Sequence, residues 1–115
     1  MTFPVRVTWK HHDPSTAVEE FIQAQADRLD RYVSDIVDCH VTVETPHHHH
    51  EHGNHFLVTV DVRVPGNEFV AKRDPEAADA HTDVHAAIKD AFESMKHQLQ
   101  HHQGKRRDRQ RQPRA

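Results

Sequence analysis

Residues 83–103 read DVHAAIKDAFESMKHQLQHHQ, and the apolar residues of this stretch recur at steps of three and four. That spacing places them on one stripe of an α-helix, which must pack against another part of the chain. We interpret the stripe as core against a sheet rather than as a groove for a partner or cofactor. Thr82 is the predicted N-cap of this helix and Gly104 its predicted end. The stripe consists of Val84, Ile88, Ala91, Phe92, Met95 and Leu99.

Alternation of apolar and polar residues predicts four strands before this helix. They cover residues 3–9, 36–44, 56–64 and 68–73, with a tight turn over residues 65–67 between the last two. In the second strand the predicted inward residues are Val37, Cys39, Val41 and Val43, and in the third they are Phe56, Val58, Val60, Val62 and Val64. In the fourth strand, Phe69 and Ala71 are predicted to face inward.

A second helix is predicted between the first two strands, with Asp13 as its N-cap and Pro14 at its first position. Its predicted apolar stripe is Val18, Phe21, Ile22, Leu29, Tyr32 and Val33. The element order is therefore β-α-β-β-β-α. This order predicts an α+β fold in which both helices pack on one face of a four-stranded sheet, as in double-stranded RNA-binding domains.

The net charge of −3 conceals a division of the chain. Residues 105–115 carry six basic side chains and one acidic one, a net of +5, so residues 1–104 carry −8. We predict a folded domain over residues 1–104 and a basic flexible tail over residues 105–115. A basic tail on an acidic body is typical of an arm that binds a polyanion, and a purely solubilising role is the alternative.

Enzymatic chemistry has little support in this sequence. Cys39 is the only cysteine, and its position in a predicted strand indicates a buried core thiol rather than a nucleophile beside a base. Paired carboxylates and a phosphate-cradling glycine loop are not recognisable. We therefore expect no enzyme, no cofactor and no small-molecule substrate. We also expect no membrane span and a cytoplasmic location, because no segment approaches about 18 apolar residues.

Three short motifs stand in an order that fits this predicted fold. They are RLDRY at residues 28–32, VPGNE at 64–68 and DVHAAI at 83–88. They resemble the K-L-E-[KR]-[YF], V-P-G-G-E and D-[MV]-Y-A-A-I motifs of the ribosome hibernation-promoting factor family, also called ribosome-associated inhibitor A or sigma-54 modulation proteins. The resemblance covers roughly residues 5–105. The length matches the short form of that family, without its extra C-terminal dimerisation domain.

The resemblance implies a translation inhibitor that binds RNA of the small ribosomal subunit near the tRNA and mRNA path under stress. In this family, basic residues on the two helices contact ribosomal RNA. Carried over to this sequence, the expected RNA-binding residues are Arg28, Arg31, Lys96 and Lys105, which keep a basic residue, and His85, His97 and His101, which stand at family positions. Lys89, Arg106 and Arg107 are expected to bind RNA because of their charge. Gln25, His85, Ser94, His97 and His101 depart from the family pattern, where a lysine, tyrosine, lysine, arginine and lysine are usual.

A histidine tract in the loop between the second and third strands has three possible interpretations. Its members are His47, His48, His49, His50, His52 and His55, out of fourteen histidines in the chain. Clustered imidazoles bind zinc or nickel, so the alternative function is a histidine-rich metal-binding protein on the same fold. The other two interpretations are a solvated loop and a proton-dependent RNA contact.

Overall fold

The computed structural model describes residues 3–11, 13–45, 56–73 and 84–111, with the side chains of residues 73 and 104–111 outside the description. The elements are β1 (Val5–Lys10), α1 (Thr16–Tyr32), β2 (Asp38–Glu44), β3 (Leu57–Val64), β4 (Asn67–Arg73) and α2 (Val84–Arg111). The predicted α+β class and the predicted element order are therefore confirmed. Neither helix combines the length and the apolarity that crossing a bilayer needs, within the described residues.

The four strands form one sheet in the order β1-β2-β3-β4. β1 and β2 are parallel, whereas the pairs β2–β3 and β3–β4 are antiparallel. A parallel pair needs a crossover connection, and α1 supplies it. The register aligns Val7 with Val41, Val41 with Val60 and Val60 with Ala71, so one row of inward side chains crosses all four strands.

The core lies between the helices and one face of the sheet. All five predicted inward residues of β3 are buried, and so is the predicted stripe of α2 except for Val84, which is partly buried. Cys39, Val41 and Val43 of β2 are buried as predicted, with Ile22, Leu29 and Val33 opposite them in the same core. The other face of the sheet carries the alternate, largely polar residues of each strand.

The β3–β4 connection is the tight turn that the sequence predicts. Val64 pairs with Asn67, which leaves Pro65 and Gly66 as a two-residue connection. Gly66 has a φ of 79°, a conformation that glycine adopts without the steric cost of a side chain. The ring of Pro65 fixes the φ of Pro65 itself, at the turn position before the glycine. The turn therefore sets the register of β4.

The predicted start of α1 at Asp13 and Pro14 is wrong. Ser15 is the N-cap, and its hydroxyl oxygen accepts a hydrogen bond from the backbone N–H of Val18 at 3.3 Å. Both aspartate and serine can cap a helix, and here it is the serine that meets the first free N–H groups. Asp13 and Pro14 precede the helix.

Two predicted core positions face solvent. Tyr32 is 52% exposed, and Ala26 lies in the buried stripe of α1 beside Ile22 and Leu29. Val37 is 46% exposed because β2 begins only at Asp38, after Asp35 adopts a positive φ of 69°. The inward alternation of β2 therefore does not extend back to Val37.

The predicted end of α2 at Gly104 is also wrong. The helix continues to Arg111, so the backbone of residues 105–111 is helical. A glycine inside a helix costs only about 1 kcal/mol relative to alanine, and the glutamine, lysine and arginine around it are good helix formers. The division into a domain and a basic segment at residue 104 stays a prediction. Thr82 and the histidine tract lie outside the described residues.

α2 also covers the edge strand β4. The Gln98 side-chain amide donates a hydrogen bond to the backbone carbonyl of Val70 at 3.2 Å. Four residues further on, the ring of His102 lies 5.1 Å from that of Phe69. These contacts fix the side of α2 that faces the sheet edge, and they leave its opposite side to solvent.

Candidate nucleic-acid interface

The two helices lie side by side and run in the same direction. The rings of Phe21 and His85 are 4.8 Å apart, and eleven residues further along each helix the ammonium of Lys96 lies 4.7 Å from the ring centre of Tyr32. Beyond the end of α1, the Gln103 side-chain amide donates to the backbone carbonyl of Ser34 at 2.6 Å. The C-terminal end of α1 therefore lies beside Gln103, and α2 continues beyond it to Arg111.

An open groove runs between the C-terminal half of α1 and residues 92–96 of α2. Its floor is apolar, because Leu29 and Phe92 are buried. Its walls are polar or aromatic side chains of Gln25, Arg28 and Tyr32 from α1 and of Glu93 and Lys96 from α2. Each helix thus contributes one cation, and α1 contributes an exposed aromatic ring. We call this feature the helix groove.

Lys96 has two partners in the helix groove. Its ammonium lies over the Tyr32 ring and 3.2 Å from the Glu93 carboxylate, one helical turn before it. The Lys96 side chain is 22% exposed and that of Glu93 is 53% exposed. Both contacts occur near water, where such interactions are individually weak. Lys96 can therefore give up these two contacts to bind an anion of higher charge.

Charge is graded along the helices. Glu19 lies in the first turn of α1 and Arg31 in its last turn, with Arg28 one turn earlier, and all three are exposed. The backbone of residues 104–111 carries α2 about 12 Å past the level of Ser34 at 1.5 Å per residue, and this segment holds five basic residues and one acidic one. Asp27 and Asp30 balance Arg28 and Arg31, so α1 changes from negative to neutral along its length and the positive excess lies on the extension of α2.

The remaining predicted RNA-binding residues follow one side of α2. His85, Lys89, Glu93, His97 and His101 recur every four residues and are all exposed. This histidine stripe contains one fixed positive and one fixed negative charge. Arg28 and Lys96 share the helix groove, whereas His85 lies near the opposite end of the helix pair. Lys105, Arg106 and Arg107 lie on the backbone extension of α2.

Sequence reasoning missed the role of Tyr32 in this surface. Helical periodicity predicts a core position for it because the residue is aromatic and stands three positions after Leu29. Tyr32 also stands four positions after Arg28, an expected RNA-binding residue, and residues four apart on a helix are neighbours, so this spacing is the signal that could have placed it correctly. Gln103 and Ser34 could not be paired from the sequence, because their contact spans 69 residues.

Metal and nucleophilic chemistry have no arrangement to support them in the described residues. No group of three histidine, cysteine or acidic side chains is placed to hold a metal ion in the part of the chain that the structure describes. Cys39 is buried, and desolvation raises the pKa of its thiol to about 12. The histidine tract of residues 47–55 lies outside the described residues, so metal binding there stays a prediction.

The outer face of the sheet has its own charges, paired across strands. Arg63 of β3 donates from Nε to both carboxylate oxygens of Asp38 on β2 at 3.1 Å, and this hydrogen bonding lowers the pKa of Asp38. A hydrogen bond with Asp61 raises the pKa of Glu68 on the same face. This face therefore carries one ion pair of opposite charges and one pair of carboxyl groups.

The fold and this surface define a small α+β domain that presents a two-helix layer with a cationic end on one side of a four-stranded sheet. The chain belongs to the family described as sigma 54 modulation protein / S30EA ribosomal protein, whose model matches residues 5–107.

Two solved structures share the fold. A ribosomal subunit interface protein from Coxiella burnetii is 16% identical with a TM-score of 0.68, and the match covers 88% of this chain and 98% of that one. The N-terminal domain of Protein Y from Thermus thermophilus is 17% identical with a TM-score of 0.63, covering 86% of this chain and 96% of that one. No curated protein matches the chain.

Proposed function

We propose that this protein is a ribosome-associated translation inhibitor that binds RNA of the small ribosomal subunit through the cationic end of its two-helix layer. The observation that supports this most directly is the family match over residues 5–107, which includes all four strands, α1 and α2 as far as residue 107. Binding at the tRNA and mRNA path would block translation, and it would place the protein in the cytoplasm. Conditions that stop growth are those in which such binding is useful to a cell.

The charge distribution supports the use of the helices rather than the sheet. RNA binding relies on lysine and arginine side chains that neutralise phosphates on a surface of matching shape. The excess of basic residues lies on the extension of α2 beyond the exposed Arg28 and Arg31, whereas the outer face of the sheet, within the described residues, pairs Arg63 with Asp38 and holds Glu68 beside Asp61. The acidic body would repel RNA elsewhere, which orients the protein as it approaches.

Co-sedimentation with purified small subunits over a range of salt concentrations tests this proposal. The double variant Arg28→Glu/Arg31→Glu should lose at least about tenfold in affinity, and the slope of log affinity against log salt should fall by roughly one unit for each phosphate that is no longer neutralised. A matched control is Arg6→Glu/Lys72→Glu, which makes the same change of charge at exposed positions on the outer face of the sheet.

The control should bind like the unaltered protein. Equal losses in both double variants would mean that net charge rather than the helical surface governs binding, and no sedimentation of the unaltered protein would refute ribosome binding. Repeating the experiment with a chelator distinguishes ribosome binding from the alternative function, which is metal binding. A metal-binding protein on this fold would bind zinc or nickel without any dependence of ribosome binding on Arg28 and Arg31.

A further inference from the structure

We propose that the helix groove holds a single unpaired ribonucleotide, whose base stacks on the ring of Tyr32 and whose phosphate is bound by Arg28 and Lys96. The inference rests on the proposed function and deepens it by naming one nucleotide-binding position within the interface. It starts from the exposure of Tyr32, which is 52% exposed and lines the helix groove.

The helix groove is small and open on one side, with room for about one water molecule, so a base would lie across it and on the Tyr32 ring. Its apolar floor of Leu29 and Phe92 lies beneath polar walls, and it spans about two turns of α1 and just over one turn of α2. Every base has a flat π face that stacks on an aromatic ring, whereas paired bases are stacked on each other and leave no face free for the ring. Gln25 stands at the groove with an amide that both donates and accepts hydrogen bonds.

The charges around the ring fit the phosphate of the same nucleotide. Arg28 stands one helical turn before Tyr32, and Lys96 reaches the ring from the other helix. A phosphate beside the ring would therefore meet a guanidinium from α1 and an ammonium from α2. Arginine and lysine next to a stacking aromatic ring are the usual components of single-strand recognition.

Lys96 covers the Tyr32 ring in the structure, with the Glu93 carboxylate 3.2 Å from its ammonium. A bound nucleotide would take the face of the ring that Lys96 occupies, and its phosphate would replace the ring and the carboxylate as the partner of the ammonium. The Lys96 side chain then exchanges two weak interactions for one charge-assisted hydrogen bond to phosphate. Removing the Glu93 charge should make this exchange easier.

Substitutions of Tyr32 test the stacking directly, because stacking and phosphate binding differ in their dependence on salt. Tyr32→Ala should weaken binding to small subunits on the order of tenfold without changing the salt slope, while Tyr32→Phe and Tyr32→Trp should restore affinity. Glu93→Gln should strengthen binding. The matched control is Val70→Ala, at a side chain with a similar exposure of 51% on the outer face of the sheet.

A second measurement reports the ring itself. Tyr32 is the only tyrosine of the chain, so 13C labelling of tyrosine gives the ring signals of this residue alone. Addition of an eight-nucleotide single-stranded RNA should shift these signals, and an RNA hairpin without unpaired bases in its stem should shift them less. A shift with the single strand indicates that any unpaired nucleotide is accepted. If Tyr32→Ala weakens subunit binding but the single-stranded RNA does not shift the Tyr32 signals, the bound nucleotide is one that the folded ribosomal RNA presents.

The outcomes separate this inference from the proposed function. If the unaltered protein binds subunits and Tyr32→Ala binds them equally well, the nucleotide position is refuted and the proposed function stands. A loss of affinity in Tyr32→Ala that is accompanied by a smaller salt slope would also refute it, because the ring would then act only by positioning Lys96. If the unaltered protein does not bind subunits, the proposed function itself fails.

Discussion

The side-chain amide of Gln103 joins α2 to the residue that follows the end of α1 by donating to Ser34 twice. One hydrogen bond reaches the backbone carbonyl at 2.6 Å and the other reaches the hydroxyl oxygen at 3.2 Å. The contact spans 69 residues of sequence and lies where the long extension of α2 leaves the domain. It therefore holds the base of the cationic extension in place relative to α1.

We expect Gln103→Ala to lower the free energy of unfolding by about 1 kcal/mol, since a typical hydrogen bond contributes that much and these two are near water. Gln100→Ala is the control, because Gln100 is exposed on the same helix. Urea denaturation followed by circular dichroism measures both variants. Equal stability of the two would show that the Gln103 hydrogen bonds contribute nothing.

Removal of the basic extension should weaken RNA binding. Truncation after Gly104 deletes a segment of net charge +5, so the affinity for small subunits should fall and the salt slope should decrease by about 0.9 or less for each phosphate that the extension neutralises. A full-length variant with glutamine in place of the basic residues of 105–111 keeps the length of the helix and removes only its charge. If truncation weakens binding and the glutamine variant does not, the extension acts through shape and not through charge.

The histidine stripe should make RNA binding dependent on pH. Histidine gains a proton between about pH 7.5 and pH 6, and a nearby phosphate stabilises the protonated form. His85, His97 and His101 share the stripe with Lys89 and Glu93, whose charges cancel, so the stripe carries no net fixed charge. Affinity for small subunits should therefore rise over this range, by at most about one logarithmic unit per pH unit for each proton taken up.

Replacing the three histidines by lysine should raise affinity at pH 7.5 and remove the dependence on pH. Replacing them by glutamine should leave weak binding that does not change with pH. Equal binding of the unaltered protein at pH 7.5 and pH 6 would rule out a role for the stripe as a proton-dependent RNA-binding surface.

Cys39 should be unreactive until the protein unfolds. With a thiol pKa of about 12, roughly one thiol in ten thousand is ionised at pH 8, and the side chain is also buried. We expect iodoacetamide to label the native protein very slowly at pH 8 and the urea-unfolded protein readily, as measured by mass spectrometry. Unfolding releases the thiol proton above about pH 9, so this group also lowers stability as pH rises from 9 towards 12. Rapid labelling of the native protein would contradict its burial.

The Asp38–Arg63 ion pair should contribute stability at neutral pH that acid removes. The hydrogen bond from Arg63 lowers the pKa of Asp38 below its ordinary value of 3.8, so the folded state holds the ionised form more strongly than the unfolded state does. The contribution is present above that ordinary value and is lost as pH falls through the lowered pKa. Asp38→Asn should therefore be less stable than the unaltered protein at pH 7 and equally stable in strong acid, with Asp30→Asn as the control. A difference that persists in strong acid would contradict this assignment.

The elements with the longest regular patterns were predicted well from the sequence. The alternation from Phe56 to Val64 and the stripe of α2 are confirmed because a strand or helix with one buried face has a strict period. The errors fall where the pattern is short or where two residues can both cap the same helix. Ser15 and not Asp13 caps α1, and Tyr32 faces a neighbouring helix that its own periodicity does not reveal. The parallel direction of the helices, and with it the helix groove, depends on contacts distant in sequence.

The hydrogen bond from Gln98 to the Val70 carbonyl has a consequence for how this protein behaves when it is abundant. β4 is an edge strand, and a backbone carbonyl that is free at an edge can accept a strand from a second molecule. The glutamine amide occupies that acceptor within the same chain, in the middle of the strand. A strand from a second molecule would have to displace the glutamine amide before it could pair with β4. The hydrogen bond therefore opposes aggregation by edge-to-edge pairing of sheets.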